Sequence, residues 1–479
     1  MSTSPAEAAK RSDPPASPSP SGRRRPPGPR GELFFGNLRP FAADILGYFT
    51  FCVREFGDTV ALRLPGRDVL ILNRPEDIEA VLLTQRTNFI KHTFFWRHVT
   101  AIFGNGLLTS EGEFWLRQRR LAAPAFHPDR IAAYGDVMVK YADRQADVWA
   151  EGAGGPGAGD NAGQAVPRDV HRDMMRVTME IVSKTLFDVE VEEDIDAIGR
   201  SFDLVIREIA KRFRRPIKIA DWIPLPGNLR YRRGVGLLDR LVKRVLAERR
   251  ARPGDRGDLL SMLMAARDDD GKPMSDRQLR DELITLFLAG HETTAIALSW
   301  TLFLLARHPD AEERLSREIG EALGGRLPRA ADLPRLRYPE AVVRESLRLF
   351  PPAYVIGREA IADCVIGGYD VPAGTTIYFA PWVLHRDARH FPDPEAFRPE
   401  RWLDGSTAKL PRYAYIPFGG GPRVCIGERF AMMEGVLVLV TLLRRFRLEM
   451  EGPDPTPFPS ITLRPEGGPI MRVRRRVES

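Results

Sequence analysis

Apolar residues recur at helical spacing along most of this chain, and strict alternation is confined to short stretches. That balance predicts a mainly α fold with a small β portion. Phe34 to Val53 reads as an amphipathic helix interrupted at Gly47. Thr59 to Leu64 and Val69 to Leu72 alternate on either side of Pro65-Gly66, the pattern of a hairpin. Pro75, with Asp77 behind it, opens a helix to about Gln85. Lys91 to Leu108 is aromatic and irregular, and reads as a loop of the kind that closes over a ligand pocket. Further helices are expected over Glu113 to Ala123, Arg168 to Phe187 and Ile195 to Lys211. Ser275-x-x-Gln278 is a capping box, followed by an apolar pattern to His308, where Pro309 ends it. Such a helix is about 50 Å long and, being apolar nearly all round, buried. A later helix carries Glu345 and Arg348 and stops at Pro351-Pro352, and Tyr354, Val355 and Ile356 read as a short strand. His385 to Arg412 is irregular and polar. A last helix runs from Gly427 through Phe446, with short strands and turns from Arg447 onward.

No long linker interrupts the body of the chain, so residues 31–479 are expected to form one domain. Residues 1–30 are rich in Pro, Ser and Arg and should be disordered. No apolar run follows their basic residues, so this tail is neither a signal peptide nor a transmembrane anchor. Glu151 to Gln164 is a Gly/Ala-rich loop, and Arg212 to Arg233 mixes arginines with the apolar stretch DWIPLPGN. The three cysteines, Cys52, Cys364 and Cys425, are far apart and form no disulfide framework, which fits a reducing cytoplasm. The formal net charge of +7 is spread over scattered arginines without a nucleic-acid motif, and is better read as a face for an acidic partner protein.

Two stretches break the pattern around them. The middle of the long helix reads Ala289-Gly290-His291-Glu292-Thr293-Thr294. Glycine inside a helix costs about 1 kcal/mol, and a buried Glu costs more unless it is paired. Ala289, Thr293 and Ala297 stack at spacing four beside Gly290, a stripe of small residues with room for a flat group and a diatomic ligand. The second stretch is Tyr415 to Ala431, YIPFGGGPRVCIGERFA. Its glycines allow sharp bends and close approach to something large. Cys425 lies where this loop enters a helix, near Arg423, and both the helix dipole and the guanidinium favour thiolate. A lone thiolate suits a soft transition metal, heme iron among them.

Phe418-x-x-Gly421-x-Arg423-x-Cys425-x-Gly427 resembles the heme-thiolate signature of the cytochrome P-450 family. The long-helix motif resembles that family's (Ala/Gly)-Gly-x-(Asp/Glu)-Thr. Glu345-x-x-Arg348 and Phe397 to Trp402 resemble its structural motifs, in the same order. The resemblance runs from about Pro26 through nearly the whole chain. It implies a P-450 fold, with the long helix over the heme and the cysteine loop on the opposite face. It also implies heme b (iron-protoporphyrin IX) held by Cys425, with Phe418, Gly427 and Ala289 against it. Trp115, Arg119, Arg358 and Arg423 then become ligands of the heme propionates, with Lys91 as a further candidate. Glu292 and Thr293 correspond to the acid–alcohol pair that delivers protons to bound dioxygen. Glu345, Arg348 and Arg401 correspond to the triad that holds the cysteine loop, and Arg212 to Arg233 to either a substrate lid or a plain connector.

The function so implied is a monooxygenase of the EC 1.14 class. It would insert one atom of dioxygen into a fatty acid, terpenoid or polyketide, by hydroxylation or epoxidation. Phe94, Phe95, Leu286, Tyr354 and Val355 are the candidate substrate contacts. A separate ferredoxin or flavodoxin-type protein would supply electrons, and the enzyme would be a cytoplasmic monomer without nucleic acid or membrane anchor. A peroxide-dependent or hydroperoxide-rearranging heme-thiolate enzyme is the alternative, and a non-catalytic heme sensor a more distant one.

Overall fold

The computed structural model describes residues 24–476, except 92, 153–165, 191–198, 200, 202–203, 210, 212–222, 224, 253 and 268–269. Its first half runs α1 (Leu38–Ala43), α2 (Ile45–Phe56), β1 (Thr59–Leu64), β2 (Arg67–Leu72), α3 (Pro75–Glu79), β3 (Phe89–Ile90), α4 (Phe94–Phe103), α5 (Gly112–Ala122), α6 (Pro128–Gly152), β4 (Arg168–Asp169) and α7 (Val170–Phe187). There follow α8 (Pro226–Ala251), α9 (Leu259–Ala265), α10 (Asp276–Arg307), α11 (Pro309–Leu323) and α12 (Arg337–Leu349). Strands β5 (Ile356–Ala360), β6 (Cys364–Ile366), β7 (Tyr369–Val371) and β8 (Thr376–Phe379) precede α13 (Pro381–Leu384) and α14 (Glu428–Leu443). The chain closes with β9 (Phe446–Met450), β10 (Thr456–Pro459), β11 (Leu463–Glu466) and β12 (Ile470–Arg475). Among the described residues no helix is long and apolar enough to cross a membrane.

The backbone groups into two compact units interleaved in sequence. The first takes residues up to Arg97, Ala353–Glu395 and Leu410–Val424, and is built on a five-stranded sheet of order β1-β2-β8-β5-β3. Only the β2–β8 pair is parallel. One cluster of this unit packs Leu70, Ile78, Leu82, Ile377 and Phe379 with Tyr413 and Ile416 of the loop before Gly419. The hairpin turns at Gly66, where a φ of +70° favours glycine. The expected interruption at Gly47 falls instead at Asp44, whose side chain accepts from the Gly47 N–H at 2.9 Å and caps α2. From Arg24 onward the expected disordered tail is bound. Ala61 N–H donates to the Pro27 carbonyl (2.8 Å), because β1 is an edge strand whose outer backbone groups need partners. Residues 1–23 lie outside the described residues. Phe94–Phe103 forms α4 rather than the expected loop.

The second unit, His98–Pro352, Ala396–Lys409 and Cys425–Ser479, is mainly helical. Its axis is α10, which packs against α7, α8, α12, α14 and β11. The capping box is formed as expected: Gln278 N–H donates to Ser275 Oγ (3.3 Å), and Ser275 N–H to Gln278 Oε1 (2.9 Å). Helix α6 was not among the expected elements, although Ile131, Tyr134, Met138, Tyr141, Ala142 and Trp149 give it one buried face. Helix α14 ends at Leu443, and Phe446, expected inside it, opens β9 and packs edge-on against Trp149. Of the helix expected over 195–211, the described residues, 199, 201, 204–209 and 211, are all helical. Of the Arg212 to Arg233 segment, the part from Pro226 belongs to α8, so Arg230, Arg232 and Arg233 are helical.

Inside this unit Glu345 is fully buried on α12 and paired twice over. Arg348 grips both its oxygens (2.9 and 3.0 Å), and Arg401 donates to Oε1 (3.0 Å). Trp402 Nε1 and the Arg398 backbone N–H complete the shell at 2.9 and 3.0 Å. The expected triad is thus assembled, with Trp402 as an added member. Removing one partner from such a cluster leaves a buried charge uncompensated, at a cost of about 3–5 kcal/mol. Glu345→Gln is expected to lower stability by about that amount. Chemical unfolding of the variant beside the parent measures it, and equal midpoints would contradict the pairing.

Candidate active site

Helix α10 is buried along nearly its whole length, but Ala289 is exposed and Gly290 and Thr293 are half-buried. The residues before and after this step, Leu288 and Thr294, are buried. Three successive carbonyls here each accept a hydroxyl. Thr293 donates to Ala289 O (2.7 Å), Thr294 to Gly290 O (3.1 Å), and Thr178 of α7 to His291 O (2.9 Å). Such donors compete with the helix ladder and bend it locally. Gly290 lets α7 approach closely: a Cβ there would lie 3.0 Å from a Val182 methyl, which would have to shift. Glu292 leaves this row altogether. Its buried carboxylate accepts from Arg464 Nε (2.8 Å) and Thr462 Oγ1 (2.9 Å), both on the C-terminal hairpin.

The loop before Cys425 is bent at Gly419 and Gly421, with φ of +75° and +65°. In the first unit this loop is pressed onto the π-helical turn Ala80–Thr84, where a Cβ on Gly421 would lie 2.2 Å from the Leu82 carbonyl oxygen. Cys425 is exposed and begins the part of the chain that belongs to the second unit. Gly427 precedes the first residue of α14, and a Cβ there would be in ordinary contact with Phe126. Trp115 and Arg119 lie one turn apart on α5, both half-buried. Burial lowers the basicity of Arg119, and the Cys425 thiolate opposes that effect, so guanidinium and sulfur are within electrostatic reach. Arg358, buried on β5, belongs to the first unit together with Phe418 and Arg423.

The substrate candidates divide. Leu286 is buried on α10. Tyr354 is buried but precedes the strand, which starts at Ile356 rather than Tyr354. Val355 packs against the first unit's cluster around Phe49 and Cys52. The side chains of Phe94 and Phe95 lie outside the described residues.

These residues fit a flat, iron-bearing group. One helix face opens at a glycine and a small side chain, a thiol is presented at a helix start, and an arginine lies close to that sulfur. The family model described as Cytochrome P450 matches residues 26–471. The chain belongs to the cytochrome P-450 family. Cyclooctatin synthase of Streptomyces melanosporofaciens is 38% identical over 87% of this chain and 88% of its own length. Cyclooctat-9-en-7-ol 5-monooxygenase of the same organism is 37% identical over 85% and 84%. Pentalenene oxygenase of Streptomyces avermitilis is 33% identical over 87% and 92%. This P-450 is accordingly a monooxygenase, an oxidoreductase of the EC 1.14 type, with a heme-iron cofactor.

The P-450 fold also brings up carboxylates that sequence reading passed over. Asp281 and Glu282, on α10, accept from the backbone N–H groups of Asn105 and Leu107, both at 2.9 Å, and tie down the loop between α4 and α5. Burial pushes Glu282 up to about 7. Glu434 of α14 is fully buried, and neither of its oxygens finds a hydrogen-bond partner among the described residues. Its sequence signal is that it is the one charged residue between Phe430 and Leu443. Burial raises its pKa well above the usual carboxylate value, and the nearby Thr294 hydroxyl only partly opposes this. A raised folded-state pKa gives stability that is present at low pH and lost as pH rises past the unfolded value. Glu434→Gln is therefore expected to gain melting temperature over the parent between pH 5 and pH 8, roughly 2 °C or more at the upper end, with the smallest gap at the acid end. A gap independent of pH would contradict a neutral, buried Glu434.

Proposed function

We propose that this P-450 oxygenates a cyclic terpenoid. Of the three lipophilic classes that the residues admit, this one is supported by relatives named for pentalenene and cyclooctat-9-en-7-ol, matched over most of their length. The observation that carries the site assignment is the exposed Ala289 and half-buried Thr293 on an otherwise buried helix, in a chain that also presents Cys425 at a helix start.

Cys425 Sγ would hold the iron of heme b, with Phe418, Gly427 and Ala289 against the ring. Trp115, Arg119, Arg358 and Arg423 would hold its propionates. When bound, the heme supplies dioxygen activation, and a thiolate ligand favours O–O cleavage. The chain's own task is to place the substrate and to deliver protons. Thr293 donates to the Ala289 carbonyl, so its hydroxyl oxygen keeps lone pairs turned outward to accept a hydrogen bond. Glu292, one residue before it, is the acid that resupplies the proton. Apolar Leu286 lies two turns before Thr293 and helps keep the site dry. Electrons come from a separate ferredoxin or flavodoxin-type protein, and the enzyme works as a cytoplasmic monomer.

Two measurements test this reading. In a ferric absorbance titration, cyclic terpene hydrocarbons and alcohols are expected to shift the heme band toward high spin at lower concentration than fatty acids or macrolides. The reverse order would move the substrate class. Thr293→Ala is expected to lower product formed per electron pair by roughly tenfold, with the balance released as peroxide. Unchanged coupling would contradict the proton-delivery role.

A further inference from the structure

The acid of the relay is held from an unexpected place. Arg464 Nε and Nη2 reach Glu292 Oε1 at 2.8 and 2.7 Å, and Thr462 Oγ1 reaches the same oxygen at 2.9 Å. All these contacts converge on Oε1. Both donors belong to the β10–β11 hairpin, 170 and 172 residues beyond Glu292 in sequence. Thr462 is the last residue of the turn and Arg464 the second of β11, and both reach the same carboxylate oxygen. Leu463 between them is pinned by its backbone: its N–H donates to Pro352 O and its carbonyl accepts from Trp300 Nε1, both at 3.0 Å. The turn itself is closed by Ser460, whose N–H and hydroxyl donate to Thr462 O at 3.0 and 2.9 Å. The hairpin is thus fixed on both sides of the two donors, and Glu292, Thr462 and Arg464 are all buried.

We propose that Thr462 and Arg464 are positioning residues of the proton relay, a role that rests on the assignment of Glu292 as its acid. Arg464 Nε and the Thr462 hydroxyl hold the carboxylate by Oε1, which selects one rotamer and leaves Oε2 as the oxygen that exchanges protons with water. The C-terminal hairpin thereby sets how readily Glu292 can resupply Thr293. A planar guanidinium that donates from Nε to Oε1 does this better than an ammonium, which offers a point charge without a fixed direction.

The test uses the purified heme-loaded protein, a surrogate ferredoxin and reductase with NADPH, and as probe a cyclic terpene that shifts the heme band. The first reading needs no turnover. Melting temperatures of Arg464→Met, Glu292→Gln and the double variant form a cycle, and the double variant is expected to lose clearly less than the sum of the singles. In the second reading, Arg464→Met is expected to raise peroxide release per NADPH severalfold and to enlarge the solvent isotope effect, with Arg464→Lys restoring part of both. Should Arg464→Met fail to fold, Thr462→Val, which removes one donor, carries the test in the same two readings. Additive melting losses would overturn the pairing. Non-additive losses with parental peroxide release, while Thr293→Ala does uncouple, would leave the relay standing and overturn the hairpin's part in it. Normal coupling in Thr293→Ala would overturn the relay itself, and the hairpin's role with it.

Discussion

A carboxylate taken out of water must find donors or give up its charge, and this requirement shapes the helical unit of the protein. Glu282, Glu292, Glu345 and Glu434 are all buried there, and each meets the requirement differently. Glu345 is surrounded by two arginines, an indole and a backbone N–H. Glu292 takes an arginine and a threonine from the C-terminal hairpin. Glu282 has one backbone N–H and is pushed up to about 7. Glu434 has no hydrogen-bonded oxygen among the described residues, and burial disfavours its charged form instead. Segments that are distant in sequence are tied together by these needs: residues 396–402 to α12, the hairpin to α10, and the loop after α4 to α10.

That pattern separates rigidity from reactivity. The Glu345 cluster is saturated, so it resists change and serves the frame. The contacts on Glu292 gather on a single oxygen beside a threonine that is only half-buried. The proposed relay needs that difference, because a fully satisfied carboxylate has no reason to exchange a proton. The three carbonyls of Ala289, Gly290 and His291 that accept hydroxyls lie on the same two turns as Glu292.

Local features were legible in the sequence where their physics is local. The Ser275-x-x-Gln278 box, the turn at Gly66 and the start of α3 at Pro75 are all where spacing placed them. So are the small residues in the middle of α10, because a Gly-Glu-Thr break in an apolar helix stands out against its surroundings. What sequence missed is long-range. Nothing near Arg464 or Thr462 announces a partner 170 or more residues away. Trp402 likewise gains its meaning only when α12 arrives beside it. The helix break was assigned to Gly47 on propensity, whereas the Asp44 cap decides it. Helix α4 was missed because its aromatic residues have no strong helical preference of their own.

The account turns on the thiolate of Cys425 as the proposed ligand of heme iron. The most direct measurement is the absorbance spectrum of the reduced carbon monoxide complex, taken for the parent and for Cys425→Ala. The parent should give the thiolate-type band and the variant should lack it, whether or not heme is retained. The same thiolate band in both proteins would contradict the assignment of Cys425 and with it the site built around that residue.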